Sequence, residues 1–474
     1  MSRFSRFLKI LVVFPLLFGL YGFAVLEGEP FLDALFQSIT MYMMNYGDTP
    51  PNLAIELARW TAPLATAGSV ILAVNFLQKW VVSRWRYLRG GSVAVYGPPK
   101  EREAVLSRLG RHGIRGDNAL VKAERYILLN GEAENFAFCE AHSQQLCRRQ
   151  VYLKCESLPA QSASQPNLKL FCPEEIGARL FWLRRDVYSL WEKSSGSLTI
   201  VFLGFGKLGE ELLSRGLQNN LFGPNQRLEY HIFGDCDAFL ATHTSLEEIS
   251  DPVFPHREPW YDSIELIERA DLVLVLWQEG QSGFLQSLLS VILRREIDVF
   301  SSEEPALAFM ACRERLRFFP WQAQTMDLQV LFADTLYERA KRINLRYAHL
   351  YQGVEETAEN REAEWEKLDA FTRYSNVSAA DYHEMRLKLL EARGLPCSLE
   401  KLSGEELEKL AELEHIRWCR YHYLNNWRFG LPENGKAKDP TRRQHSLLVP
   451  YDALSEADKE KDRENVRVLF SVES

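Results

Sequence analysis

Three groups of residues have types and spacings that could do chemistry. The run Gly204-Phe205-Gly206-Lys207-Leu208-Gly209 follows the apolar stretch Ser197 to Leu203 and opens a helical pattern. Glycines so placed permit a tight turn and let a pyrophosphate approach a helix N-terminus, with Lys207 beside it. Asp235 and Asp237 close the next apolar run, where a carboxylate can accept ribose hydroxyls. The second group offers Trp418, Trp427 and Tyr451 as stacking surfaces, with Arg417, Arg428, Arg443 and Arg463 as anion-pairing groups. Aromatic faces with guanidinium forks suit a purine nucleotide carrying phosphates. The third group, Met43-Met44-Asn45-Tyr46-Gly47-Asp48, lies between two apolar segments and can present backbone carbonyls to a cation.

The first two groups also have a plainer reading. The glycines equally serve close packing of strand on helix. The tryptophans equally fill a small helical core, while the arginines pair with Glu414, Asp452 and Asp462. His415 reads as a satisfied helix histidine rather than an acid–base catalyst. No catalytic constellation and no metal site emerge. The eight cysteines all follow residue 130 without a Cys-x-x-Cys pair, as expected of reduced thiols. A net charge of −8 argues against nucleic acid as a partner.

The elements that must position these groups come next. Phe7 to Leu26 and Trp60 to Val82 are each long enough, at about 1.5 Å per residue, to cross a hydrocarbon core of about 30 Å. Arg3, Arg6 and Lys9 flank the first, Lys79, Arg84, Arg86 and Arg89 the second, and only acids mark the loop between Glu27 and Glu56. By the positive-inside rule both termini face the cytoplasm. A secretory signal and a plain two-span anchor are the alternatives. Between the segments, Phe31 to Tyr42 has helical spacing, and Gly68 and Asn75 of the second segment are expected to line a pore. The layout resembles the pore of two-span potassium channels, although Met43, Met44 and Asn45 depart from the filter pattern. The resemblance implies a tetrameric pore for monovalent cations with weak potassium selectivity.

With 474 residues the chain is expected to hold about three further domains. Apolar runs at Val93, Tyr126, Val151 and Leu168 predict one α/β unit. Those at Ser197, Leu228, Asp271 and Ile297 predict a second, Rossmann-like unit with the glycine turn. Two such units after a pore resemble RCK modules, the regulators of potassium conductance, which implies ligand sensing at the turn. The blocks Glu414-His415-Ile416-Arg417-Trp418, Trp427-Arg428-Phe429-Gly430 and Gln444 to Tyr451, closed by Lys461-Asp462-Arg463, resemble the ryanodine receptor repeat domain.

The expected fold class is therefore a membrane α-helical hairpin with a re-entrant loop, followed by α/β Rossmann-like domains and a small, mainly α, C-terminal domain. The expected boundaries are 1–89, 90–194, 195–310, 311–404 (a helical connector) and 405–474. The expected function is a ligand-gated cation channel of the inner (plasma) membrane, multi-pass in the lipid bilayer. Its regulatory ligand would be NAD, another adenine nucleotide or a nucleotide-derived signal. The alternatives are a nucleotide-activated, membrane-depolarising defence effector and a membrane-anchored dinucleotide-dependent oxidoreductase.

Overall fold

Strands that are apolar on both faces need cover on both sides, and this chain supplies it with helices around two sheets. The computed structural model describes residues 13–471 except 48, 118, 159–164, 166, 195, 294–295, 302–306, 308–309, 334 and 434–435. The side chains of 71–73, 75, 76, 79, 80 and 333 are also outside the description. Two compact units result: residues 1–94 with 111–124, and residues 95–110 with 125–474.

In the first unit, helix α1 (Phe31–Thr40) is followed by a 3₁₀ turn and then by α2 (Leu53–Leu88), a helix of 36 residues. Asn52 starts α2 by accepting a hydrogen bond from the Ile55 N–H at 3.1 Å. Phe23, Ala34, Met41, Ile55, Ala58 and Ala62 form the small core.

Among the described residues, no helix is long and apolar enough to cross a membrane. This overturns the hairpin fold, the channel function with its two membrane-bound alternatives, and the multi-pass localisation. The expectation rested on the length of the apolar runs and on the charges that flank them. Of the first segment, residues 7–12 are not described, and the rest ends in a six-residue π-helix, Tyr21–Leu26. The second segment forms part of a longer helix that also carries Glu56, Arg59, Arg84 and Arg86.

Two hydrogen bonds hold the start of the loop. The Tyr42 carbonyl accepts from Thr66 Oγ1 at 2.8 Å, and the Asn45 N–H donates to the Thr40 carbonyl at 3.2 Å. Met43, Met44, Asn45 and Gly47 are exposed, and Met44 is left-handed with φ 58°. Tyr46 packs edge-on to Phe23 at 5.8 Å. Gly68 is half-buried in α2, whereas Asp48 and the Asn75 side chain lie outside the described residues.

The unit boundary runs through β1 (Val93–Tyr96). The sheet containing it also has β2 (Gly113–Arg115), β3 (Arg125–Leu128), β4 (Gln150–Lys154) and β5 (Leu168–Phe171), in the order β2-β1-β3-β4-β5. The β3, β4 and β5 strands run parallel. Helix α3 (Pro173–Arg184) then leads to the second sheet. Its strands are β6 (Ser197–Leu203), β7 (Arg227–Phe233), β8 (Val253–His256), β9 (Leu272–Val275), β10 (Ile297–Phe300) and β11 (Leu316–Phe319). All five pairings are parallel, in the order β8-β7-β6-β9-β10-β11. That is the strand order of a Rossmann sheet, with the order reversing between β6 and β9. The sheet extends to β11, past residue 310.

Helix α4 (Gly206–Asn219) follows β6 directly. The C-terminal part is helical: α5 (Thr335–Gln352), α6 (Ala370–Ala392), α7 (Gly404–Leu424) and α8 (Glu456–Ser471), with three two-residue strands between α7 and α8. Ser403 and Glu406 close a capping box at the start of α7. Hydrogen bonds tie this part to α3, α4 and the segment after β7. Arg179 donates to Asp381 at 2.8 Å, Arg420 to the Leu217 carbonyl at 2.9 Å, and the Thr244 N–H to Asn426 Oδ1 at 2.7 Å.

Candidate functional site

The glycine turn is largely spent on packing. Gly204 has φ +95°, and a Cβ there would lie 2.9 Å from the Trp277 nitrogen. A Cβ on Gly209 would lie 2.6 Å from the ring of Phe205, which is buried edge-on to Phe239 at 5.8 Å. Gly206, at φ +58°, has open space beside it. Asp235 and Asp237 are exposed: Asp235 accepts from the Asp237 N–H at 3.2 Å, and Asp237 lies 3.6 Å from Arg257.

A cavity of about 780 Å³ opens along the flank of α4; Lys207 lines it, but Gly204, Gly206 and Gly209 do not. Lys207, Glu211, Ser214, Arg215 and Gln218 share that flank because their spacing places them on one face of a helix. Lys207 lies 3.2 Å from Glu210 and 3.5 Å from Glu211; Arg215 lies 3.5 Å from Glu175 and 3.8 Å from Glu211. The cations on this wall are thus already neutralised. Gln218 is buried, its amide donates to the Ser214 carbonyl at 2.9 Å, and its Oε1 has no partner among the described residues.

The facing wall comes from α6, α7 and the short strands. Asp369 caps α6 by accepting from the Thr372 N–H at 2.7 Å, which brings Phe371 and Tyr374 to the cavity. Trp418, His422, Trp427 and His445 form one continuous aromatic group with Phe371: Trp418 to His422 is 4.0 Å, Trp418 to His445 4.8 Å, His422 to Trp427 5.4 Å and Phe371 to Trp427 5.6 Å. Lys438 and Arg443 stand at the edge of this group and form no ion pair among the described residues; Arg443 donates to the Asn425 carbonyl. Burial pushes the His422 imidazole down to about 3 and that of His445 down to about 4, with the charge of Lys438 adding to both. His243, also on the wall, is lowered by burial too.

Of the residues that the sequence singled out, Lys207, Trp418, Trp427 and Arg443 line the cavity. Arg417 donates to Glu414 at 2.8 Å and to Ser378 at 3.0 Å, both buried. Glu414 also accepts from Arg386 at 2.8 Å. Burial alone would raise its carboxyl, yet Arg417 and Arg386 hold it below the usual range. Tyr451 donates to Glu408 at 3.0 Å, and Arg463 pairs with Glu408, Glu456 and Glu460. Arg428 is exposed on its strand. His415 donates to the Val449 carbonyl at 2.8 Å and to Asp462 at 3.2 Å. Both of its nitrogens face acceptors, so it is an imidazolium: burial opposes the charge, but Asp462 pushes it up to about 10. The reading of His415 as a satisfied helix histidine fits this geometry.

Sequence reasoning missed His422, Phe371, Tyr374, Gln218 and Lys438. His445 lay inside a quoted block, Gln444 to Tyr451, without being assigned a role. Phe371 and Tyr374 fell in a polar helical connector where no local pattern marks a cavity wall.

Residues 395–472 match the family model of the RyR domain. The ryanodine receptor repeat domain expected at 405–474 is therefore present and starts earlier in the chain. No curated protein and no solved structure matches the chain. Nothing in these comparisons supports a potassium-channel pore or RCK modules.

Proposed function

We propose that this chain is a sensor for a nucleotide-type small molecule, held between α4 and the RyR domain, and that it binds this ligand without turning it over. The observation that carries the reading is the composition of the cavity wall. It joins an aromatic surface, Trp418, Trp427 and Phe371, to two cations, Lys438 and Arg443, that form no ion pair among the described residues. Flat apolar rings beside cations outside ion pairs suit a planar base carrying a phosphate. A volume of about 780 Å³ is in the range of small-molecule sites. NAD and other adenine nucleotides are the ligands to try first.

The test is calorimetric titration of the full chain with ATP, ADP, AMP, NAD and ADP-ribose, with tryptophan fluorescence as a second readout. Saturable binding that quenches fluorescence, and that weakens in Trp418→Ala, is the expected result. A folded chain that binds none of them would overturn the proposal.

A further inference from the structure

Two histidines on the cavity wall have their proton positions set by backbone groups that cannot change role. His422 Nδ1 lies 2.9 Å from the Trp418 carbonyl, which only accepts, so Nδ1 carries the proton and Nε2 is a bare acceptor. His445 is reversed. Its Nδ1 lies 3.1 Å from the Leu447 N–H, which only donates, so Nε2 carries the proton. A second proton on His445 would point at that N–H, so the ring is neutral. His422 is kept neutral by its burial and by the nearby cations Lys438, from the strand segment, and Arg417, from its own helix.

Neither Nε2 has a protein partner among the described residues. The two rings are 5.8 Å apart and contact the indoles of Trp418 and Trp427. The wall thus presents one fixed acceptor and one fixed donor beside stacking surfaces. Gln218 Oε1, on the opposite wall, adds a buried acceptor without a partner among the described residues. A ligand that covers these groups takes them out of water, so one that satisfies them gains selectivity over one that does not.

We infer that the cavity selects an adenine base, whose exocyclic amino group donates to His422 Nε2 while the adjacent ring nitrogen accepts from His445 Nε2–H. This rests on the nucleotide reading above and narrows it to a base. Beside its five-membered ring, adenine offers one donor and one acceptor, whereas guanine offers two acceptors there. Guanine would leave His422 Nε2 facing an acceptor.

The experiment titrates the full chain with ADP, with its N6,N6-dimethyl analogue and with GDP. ADP should bind at least about tenfold more tightly than either, since each shuts His422 Nε2 off from water without pairing it. His422→Phe should weaken ADP by a similar factor and abolish the preference for ADP over the dimethyl analogue. His422→Gln, which keeps an acceptor on the wall, should restore part of it. Equal affinity for ADP, its dimethyl analogue and GDP overturns the assignment while leaving the nucleotide reading intact. Absence of binding by all three overturns both. If His422→Phe fails to fold, as judged by its melting curve, the three ligands on the unaltered chain still decide.

Discussion

The turn after β6 and the RyR wall of the cavity both carry residues whose types suggest ligand chemistry, and they commit them differently. At the turn, two of the three glycines are glycine because Phe205 and Trp277 leave no room for a side chain. On the RyR wall, Arg417, Tyr451 and Arg463 are bound into the scaffold, and the groups that line the cavity are Trp418, Trp427, Lys438, Arg443 and two neutral histidines. Motif residues mark where a fold is constrained. What remains unsatisfied after folding marks where a ligand can go.

The strongest way to break the contrast is to remove the support beneath the open wall. Glu414→Ala leaves Arg386 and Arg417 buried without their counter-charge, and should cost about 3 to 5 kcal/mol in urea unfolding. Nucleotide binding should fall with it. At the turn, Gly209→Ala forces a methyl against Phe205 and should cost about 1 to 3 kcal/mol. Nucleotide affinity should stay within about twofold, because Gly209 does not line the cavity; a large loss of affinity in a folded Gly209→Ala protein would return the site to the turn.

The histidines give a third contrast, in sign. His383, His422 and His445 have folded values lowered to about 2, 3 and 4, against 6.5 for the unfolded chain. The unfolded state therefore takes protons first, and stability should fall as pH drops below about 6.5. His415, raised to about 10, works in the opposite direction: its contribution is complete below pH 6.5 and is lost as pH rises toward 10. Chemical denaturation across pH should show both limbs, and His415→Gln should flatten the alkaline limb alone. The smallest effect on stability is expected of Lys438→Ala, within about 0.5 kcal/mol because the residue is exposed. Its ADP affinity should nonetheless fall severalfold and lose salt dependence.

The fold was legible in the sequence where local pattern and tertiary role coincide. The β6 strand and its glycine turn were readable because a fully covered parallel strand must be apolar on both faces and must end in a tight turn. The RyR domain was readable from its separated blocks. Two things were not. The apolar segments before residue 89 were judged by length and flanking charge, which say nothing of the elements they become part of. The cavity is assembled from residues as distant as Glu156 and His445, and no periodicity signals it. The donor and acceptor roles of His422 and His445 depend on carbonyl and amide positions that exist only after folding.

Arg179, fully buried, finds its partner Asp381 only 202 residues later in the chain. At roughly 5 to 20 residues per second, a ribosome needs about 10 to 40 s to supply that partner. Glu175, one turn earlier on α3, lies 3.9 Å from Arg179, but the hydrogen-bonded partner comes only with α6. Nascent chains ending before residue 370 lack Asp381, and burial of Arg179 against it has to wait for α6 to be made.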